Sequence, residues 1–188
     1  MLCTGNICRS PVAEALLRQR LRRGGVIGRV QSAGLLQGGS PASEHSVDLL
    51  EARGLDLSAH RSQTMTPELL RSATMIVGMA REHVREAVVQ APDVFPRTFT
   101  LKELVRRAES VGAREAGEPL EEWLTRVHGG RASKDLMGVS TEDDVKDPIG
   151  LPRGAYVTMV NELDELTRRL YWLAWGAAEG ERAVEVAS

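Results

Sequence analysis

The sequence predicts an α/β fold in which a parallel sheet carries helices on both faces. Short apolar runs alternate along the chain with longer segments whose apolar residues recur at helical spacing. The run at residues 74–79 is nearly continuous, as is typical of a strand buried on both faces. No repeat or linker-like stretch divides the 188 residues, and a hydrophobic content of 42% is enough for one full core.

The helices are predicted from apolar periodicity and from the residues at their ends. The first covers Pro11–Arg23, because Ser10 and Pro11 suit a helix start and two glycines follow. The longest covers Arg153–Trp175, where large apolar residues repeat at intervals of three, four and seven. The other predicted helices are one from Pro41 to the glycine at 54, a short one from Pro67, and those over Arg81–Gln90, Leu101–Val111 and Pro119–His128.

Three strands are predicted between these helices. They are Val26–Gln31, the apolar run at 74–79, and an edge strand over Arg97–Thr100. We expect a single domain over residues 1–176 that includes a helical insert at about 105–140. Residues 177–188 are small and acidic, which predicts a disordered tail.

Residues 3–10, Cys-Thr-Gly-Asn-Ile-Cys-Arg-Ser, contain the strongest functional signal in the chain. Gly5 and Asn6 are residue types that accept a positive φ, so the loop can turn its backbone N–H groups inward. The helix that follows adds a partial positive charge, and Arg9 offers a planar fork for two phosphate oxygens. Cys3 lies where these groups converge, a setting that favours a reactive thiolate. The loop therefore predicts chemistry on a phosphate ester.

This stretch resembles the signature of the low-molecular-weight protein tyrosine phosphatases, which is Cys, five residues, Arg, and then Ser or Thr. The resemblance extends from Cys3 to about Trp172 and is weakest over about 105–140. It implies a doubly wound, four-stranded parallel sheet of the flavodoxin-like phosphatase fold. It also implies hydrolysis of protein phosphotyrosine and other aryl phosphates through a phosphocysteine. The matching loop residues are Cys3, Thr4, Gly5, Asn6, Ile7, Cys8, Arg9 and Ser10, with Pro11 behind them.

The resemblance also indicates a general acid. The family carries this acid in an Asp-Pro pair shortly before the last helix, and Asp147–Pro148 stands there. Proline holds the preceding residue extended and stiffens the loop, although an Asp-Pro pair is also common in ordinary turns. Together with Cys3 and Arg9, Asp147 would complete a nucleophile, a clamp and an acid. The neighbouring Asp143 and Asp144 are expected to form a solvated face.

Two further residues match positions that hold the loop asparagine in place in the family. These are Ser32 and His60, and for His60 a surface histidine near a turn is the alternative. The other three histidines, His45, His83 and His128, are interpreted as surface residues. Because the four histidines have no ligand spacing, no metal is predicted, and no cofactor either.

Cys8, inside the loop, has two interpretations. It is either a small buried hydrophobe or, as the resemblance implies, a redox partner that traps oxidised Cys3 as a disulfide. Two cysteines five positions apart make no disulfide scaffold, which favours a reducing cytoplasm.

Relatives of the loop also occur as arsenate reductases and as protein-arginine phosphatases. The reductases need further cysteines, and no cysteine follows Cys8. The arginine phosphatases tend to carry Thr where Ile7 stands, and a bulkier apolar side chain suits an aryl ring better. Phosphotyrosine is therefore the predicted substrate and phosphoarginine the alternative. Many family members place aromatic residues after the Asp-Pro pair; residues 149–151 are Ile-Gly-Leu here, which predicts a wider slot.

The composition argues against nucleic acid and membrane as binding partners. A formal charge of −2 and a pI near 6.1 give no nucleic-acid footprint, and no apolar run approaches the ~20 residues of a membrane span. The first residues lack the basic start and apolar stretch of a secretory signal. The expected partner is a phosphorylated protein or an aryl phosphate. Nothing in the sequence indicates an oligomeric state.

The start of the chain is unusual for this fold. A phosphate loop follows a strand in α/β proteins, yet only Met1 and Leu2 precede Cys3. We therefore expect that the first strand is largely missing and that the reading frame continues upstream with an apolar segment. On this expectation the chain as given is poorly stable and weakly active. A non-catalytic phosphate-binding module is then a further alternative, against which the presence of Cys3, Arg9 and Asp147 together favours an enzyme.

Overall fold

A computed structural model describes residues 1–136 and 141–176 of the chain. At its centre lies one four-stranded, fully parallel sheet with the strand order β2-β1-β3-β4. This confirms the four-stranded parallel sheet expected from the sequence. The strands are β1 (Leu2–Cys3), β2 (Ala33–Gly34), β3 (Ile76–Gly78) and β4 (Thr98–Thr100).

Seven α-helices occur in the described residues. Those over 81–90, 101–111 and 153–175 have the predicted bounds, and the starts of the others lie within three residues of their predicted starts. The helices are α1 (Arg9–Arg23), α2 (Glu44–Glu51), α3 (Pro67–Ser72), α4 (Arg81–Gln90), α5 (Leu101–Val111), α6 (Leu120–His128) and α7 (Arg153–Trp175).

Side chains alternate across the strands and thereby create two separate cores. Leu2 and Ile76 belong to a small cluster that includes Leu70 of α3 and Ala87 of α4. Their strand neighbours Cys3 and Val77 belong to a larger cluster with side chains of α1, α5 and α7. Because successive strand residues point to opposite faces, helices cover both faces of the sheet. The doubly wound arrangement is confirmed.

One predicted strand is wrong. Val26–Gln31 forms no strand, and β2 occupies Ala33–Gly34 instead. Within the described residues, β1 pairs with β2 only at Leu2–Ala33 and Cys3–Gly34, so the ladder does not extend into the preceding segment. That segment instead lines a cavity of about 510 Å³ at the amino end of the sheet, together with Met1 and residues 73–77.

The predicted helical insert contains the end of α5, all of α6 and a 3₁₀ turn at Ser133–Leu136. The buried Trp123 ties α6 to α5, because its indole N–H donates to the carbonyl of Gly112 at 3.1 Å. Residues 137–140 of the insert and the predicted tail at 177–188 lie outside the described residues. Within the described part of the chain, no helix is both long enough and apolar enough to cross a bilayer.

Candidate active site

The loop predicted to hold phosphate lies at the carboxyl end of β1, where it leads directly into α1. Asn6 has a φ of 52° and is the one non-glycine residue with a positive φ in the described chain. This left-handed turn brings its backbone N–H back toward the start of the loop, where it donates to the Cys3 sulfur at 3.2 Å. The loop therefore curls around the thiol, as an anion nest requires.

The Cys3 thiol is buried, with 2% of the residue exposed. Besides the Asn6 N–H, its Sγ contacts the Ser10 hydroxyl at 2.9 Å. Two polar groups thus contact one buried sulfur.

The Arg9 guanidinium is held on several sides. Its Nη1 donates to the Val145 carbonyl at 3.2 Å, and its Nη2 donates to the Thr4 hydroxyl at 3.1 Å. Nη2 also donates to Asp147 Oδ2 at 2.5 Å, which brings the predicted clamp and the predicted acid into direct contact. The Nε atom is buried and has no partner within residues 1–136 and 141–176. It is one donor of a planar fork still open to an anion.

Asp147 lies on a loop that ends just before α7. Its side chain is 41% exposed, and its second carboxylate oxygen accepts from the Ile149 N–H at 3.2 Å. The loop is anchored to the sheet because the Val145 N–H donates to the Met79 carbonyl at 2.8 Å. The acid is thus both tethered beside Arg9 and open to solvent.

The expectation that Asp143 and Asp144 form a solvated face is wrong. Asp144 Oδ1 accepts from the backbone N–H of Arg81, the first residue of α4, at 2.8 Å. Asp143 forms an ion pair with Arg106 of α5 at 2.8 Å, and its side chain is 14% exposed. Both carboxylates fix the loop that carries Asp147, and their spacing in the sequence gives no sign of it.

The Asn6 side chain connects the loop to its surroundings. Its amide donates to the Ser10 hydroxyl at 2.9 Å and to the Ser32 hydroxyl at 2.8 Å. His60 Nε2 lies 2.7 Å from the Asn6 carbonyl oxygen. The structure thus places Ser32 and His60 beside Asn6, Ser32 on its side chain and His60 on its backbone.

Two supporting residues were missed at the sequence level. Gln63 donates its backbone N–H to Asn6 Oδ1 at 2.9 Å and its side-chain amide to the Ser32 carbonyl at 2.6 Å. Glu14 accepts from the Ser32 hydroxyl at 2.5 Å. Glu14 follows Ser10 by one helical turn and interrupts an otherwise buried run of α1, a signal that could have identified it.

The interpretation of His83 as a surface residue is wrong. His83 is fully buried in α4, and its Nε2 lies 3.1 Å from the Thr4 hydroxyl that also accepts from Arg9. Burial, and secondarily the charge of Arg9, lowers its pKa from 6.5 to about 3. The ring is therefore neutral at ordinary pH and adds no positive charge next to Arg9. His45 and His128 are half-buried, and His45 packs edge-on against Tyr156.

Cys8 is buried, and its thiol is free, as is that of Cys3. It donates to the Ser43 hydroxyl at 3.3 Å and lies 3.9 Å from the Tyr156 oxygen. Burial raises the pKa of the Cys8 thiol, so this cysteine remains protonated at rest. Among the residues that the structure describes, no group of three or more His, Cys, Asp or Glu could hold a metal ion.

Comparisons with known proteins bear on this geometry. Residues 1–122 match the family model of the low molecular weight phosphotyrosine protein phosphatases. The chain is 32% identical to a protein-arginine-phosphatase of Bacillus subtilis over 90% of this chain and 91% of the relative. It is 36% identical to the low molecular weight protein-tyrosine-phosphatase Etp of Escherichia coli, over 58% of this chain and 72% of that one. A crystal structure of a low molecular weight protein tyrosine phosphatase from T. tengcongensis superposes with a TM-score of 0.68 at 30% identity, covering 90% and 93% of the two chains.

Proposed function

The chain belongs to the low-molecular-weight phosphotyrosine protein phosphatase family, and we propose that it hydrolyses phosphotyrosine in proteins through a phosphocysteine on Cys3. The observation that carries this proposal is the convergence of three groups on one loop. The Cys3 sulfur lies inside the curled loop, and Arg9 of the same loop has a buried donor without a partner among the described residues. Asp147 contacts that guanidinium at 2.5 Å. These groups are the nucleophile, the clamp and the acid that cleavage of a phosphate monoester needs.

In the first half-reaction the Cys3 thiolate attacks phosphorus and the bond to the tyrosyl oxygen breaks. The Asp147 carboxyl group gives its proton to that departing oxygen. Inward N–H groups and Arg9 bind the three equatorial oxygens, whose charge is spread in the transition state. The products are tyrosine and phosphocysteine.

In the second half-reaction a water molecule attacks the phosphocysteine. The Asp147 carboxylate takes a proton from this water, the S–P bond breaks, and inorganic phosphate leaves. The Ser10 hydroxyl, 2.9 Å from the sulfur, donates to the thiolate as it departs. Asn6 positions this hydroxyl, because its side-chain amide donates a hydrogen bond to the Ser10 oxygen and leaves the hydroxyl proton for the sulfur.

Phosphoarginine is the second candidate substrate, and the name of the Bacillus subtilis relative favours it. The residue that argues for phosphotyrosine is Ile7, a half-buried apolar side chain in the loop. The exposed side chains of Ile149 and Leu151 add further apolar surface beside Asp147. An aryl ring can bury carbon against these groups, whereas a charged guanidinium loses hydration there.

The deciding experiment compares two peptides of one sequence, one with phosphotyrosine and one with phosphoarginine. We expect the phosphotyrosine peptide to have the larger kcat/KM, and Ile7→Thr to shift the ratio toward phosphoarginine. A larger kcat/KM for phosphoarginine in the wild-type chain would assign the second function instead. Release of phosphate from neither peptide would contradict both.

We also propose that Cys8 resolves oxidised Cys3 as a disulfide, and that the protein works in the reducing cytoplasm, where the attacking thiol stays available. Both thiols are free and lie in the same loop, which supports this role. After mild peroxide, mass spectrometry should find the linked pair, and thiol treatment should restore activity. Recovery of Cys8→Ser as complete as that of the wild type would contradict the protective role.

A further inference from the structure

A second cavity lies at the carboxyl end of the sheet, on the side of β4. It has a volume of about 190 Å³ and reaches Thr100, the last residue of β4. Four arginines line it, one from α4, two from α5 and one that precedes the 3₁₀ turn at Ser133–Leu136. They are Arg81, Arg106, Arg107 and Arg131, and we call this cavity the arginine subsite.

Each of the three carboxylates in this lining already has a partner within the protein. Glu103 pairs with Arg131 at 2.8 Å, and Asp143 pairs with Arg106 at 2.8 Å. The third, Asp135, accepts the backbone N–H of Ala132 through Oδ2 at 2.9 Å. Four guanidinium groups against three carboxylates leave the lining with one net positive charge.

Two of these arginines also have N–H groups that donate no hydrogen bond within the described residues. A guanidinium has five N–H groups, yet within the described residues Arg81 uses one of them, on the Asp135 carbonyl, and Arg106 uses one, on Asp143. The positive potential reaches His128, whose pKa is lowered by burial and then by the charges of Arg131 and Arg107. A cavity with surplus positive charge and open donors is suited to a carboxylate or a phosphate.

The position of the arginine subsite relates it to the reaction. The phosphate loop follows β1 and the subsite borders the end of β4, with β3 between them in the sheet. Two strand spacings are about 10 Å, which an extended peptide spans in about three residues. Both sites border the carboxyl ends of strands in a parallel sheet, where ligands of α/β proteins bind.

We propose that the arginine subsite binds an acidic side chain about three positions from the phosphorylated residue of the protein substrate. This inference rests on the proposed phosphatase function and adds to it a preference for acidic sequence context. The ligand is a carboxylate, or a second phosphate on the same peptide, bound by Arg81 and Arg106. The helical insert supplies Arg106, so this part of the chain would select substrates.

The test uses phosphotyrosine peptides that carry Glu or Gln three positions before or after the phosphorylated residue. For the wild type we expect kcat/KM to be about tenfold higher with Glu on one side, the worth of one charge-assisted contact. Arg81→Gln and Arg106→Gln should each reduce this ratio toward one. Arg81→Gln should not change kcat/KM for nitrophenyl phosphate, which has no flanking group, by more than about twofold, because the backbone N–H of residue 81 that holds Asp144 is retained. Arg106→Gln also loses the ion pair with Asp143, which helps to fix the Asp147 loop, so only its ratio between the Glu and Gln peptides is compared. Arg81→Lys should restore part of the ratio.

The control is Arg168→Gln, which removes an exposed arginine of α7 that pairs with Glu165. Its Glu-to-Gln ratio should equal that of the wild type, and thermal melts should show all variants folded. Turnover of every peptide without a Glu preference would overturn the subsite and leave the phosphatase function intact. A Glu preference that survives in both arginine variants would also overturn it. No turnover of any peptide would overturn the phosphatase function, and this inference with it.

Discussion

The carboxyl end of the sheet and its amino end are built in different ways. At the carboxyl end, hydrogen bonds from neighbouring segments hold Asn6 on its side chain and on its backbone carbonyl. At the amino end lies the cavity of about 510 Å³, lined by the irregular segment before β2. Hydrogen bonds thus fix the loop where the proposed chemistry occurs. The cavity at the amino end leaves space for added side-chain volume.

Two buried basic groups at the carboxyl end differ in charge. Arg9 is buried but contacts Asp147, Thr4 and the Val145 carbonyl, and a guanidinium stays protonated in proteins. His83 is buried 3.1 Å from the same Thr4 hydroxyl, and burial, and then the charge of Arg9, lowers its pKa to about 3. A positive charge is thus retained on the group that is to bind an anion and disfavoured on its neighbour.

The largest effect that should separate the two ends is loss of the nucleophile. Cys3→Ser should lower turnover of nitrophenyl phosphate by at least about 10⁴-fold, because a hydroxyl is a far weaker nucleophile than a thiolate. Vanadate binding, measured by calorimetry, should persist because Arg9 and the loop N–H groups remain. Gly28→Ala, at the amino end, is the control and should keep full turnover. Appreciable activity in Cys3→Ser would exclude Cys3 as the nucleophile.

The next effect concerns the acid. Asp147→Asn should slow phenyl phosphate by about 10²–10⁴-fold, because this poor leaving group needs a proton, and nitrophenyl phosphate by much less. The measurement is kcat for a series of aryl phosphates of graded leaving-group pKa, whose dependence should steepen in the variant. Equal slowing across the series would indicate that Asp147 only holds Arg9 in place.

A substitution at the rim of the phosphate loop should have a smaller effect. A Cβ on Gly34 of β2 would lie 2.7 Å from the Thr4 carbonyl oxygen and 2.9 Å from the Asn6 nitrogen. Both contacts are to backbone, so Gly34→Ala must displace the loop, at a cost of about 1–3 kcal/mol in unfolding free energy. We expect kcat/KM to fall at least about tenfold, since small displacements of reacting groups are costly. Unchanged kinetics would show that the loop tolerates such a shift.

The sequence predicted the parts of the fold and site that depend on local signals. The loop at residues 3–10 and the bounds of α7 follow from residue types at fixed spacing, whereas Asp147 is identified because its Asp-Pro pair resembles that of the family. Predictions from the sequence were wrong where contacts between distant segments determine the structure. Val26–Gln31 has the composition of a strand but forms none in the described structure. His83 is polar in type, which predicts a surface position, although tertiary packing buries it against Thr4. The roles of Gln63 and Glu14 likewise depend on segments that meet only in the folded chain.

Stability as a function of pH should report the buried histidine at the carboxyl end. The pKa of His83 is lowered from 6.5 to about 3 in the folded chain, so the unfolded chain binds more protons and stability falls as pH falls. The His83 contribution is lost between pH 6.5 and about 3. At about 1.4 kcal/mol per pH unit, this loss is on the order of a few kcal/mol.

Urea unfolding at pH 8, 6.5 and 5 measures this loss. Between pH 8 and 6.5 the free energy of unfolding should have nearly the same pH dependence in His83→Gln and in the wild type, because the imidazole is mostly neutral there in both states. Below pH 6.5 the decrease should be shallower in His83→Gln. An equally steep decrease in the variant would show that His83 is not buried in solution.

The smallest effect tests whether the amino end has room to spare. A Cβ on Gly28 would meet one side-chain atom, Leu21 Cδ1, at the ordinary contact distance of 3.8 Å. Its backbone φ is not positive, so alanine fits the existing conformation. Gly28→Ala should therefore stabilise the fold by about 0.4–1 kcal/mol, mainly because it restricts the unfolded chain. In a chain of this length that raises the melting temperature by about 1–4 °C, with kinetics unchanged. The same substitution at Gly34 destabilises, so the sign of the change reports which end of the sheet is closely packed. A decrease in melting temperature for Gly28→Ala would mean that the segment before β2 is as tightly constrained as the phosphate loop, and the contrast between the two ends would fail.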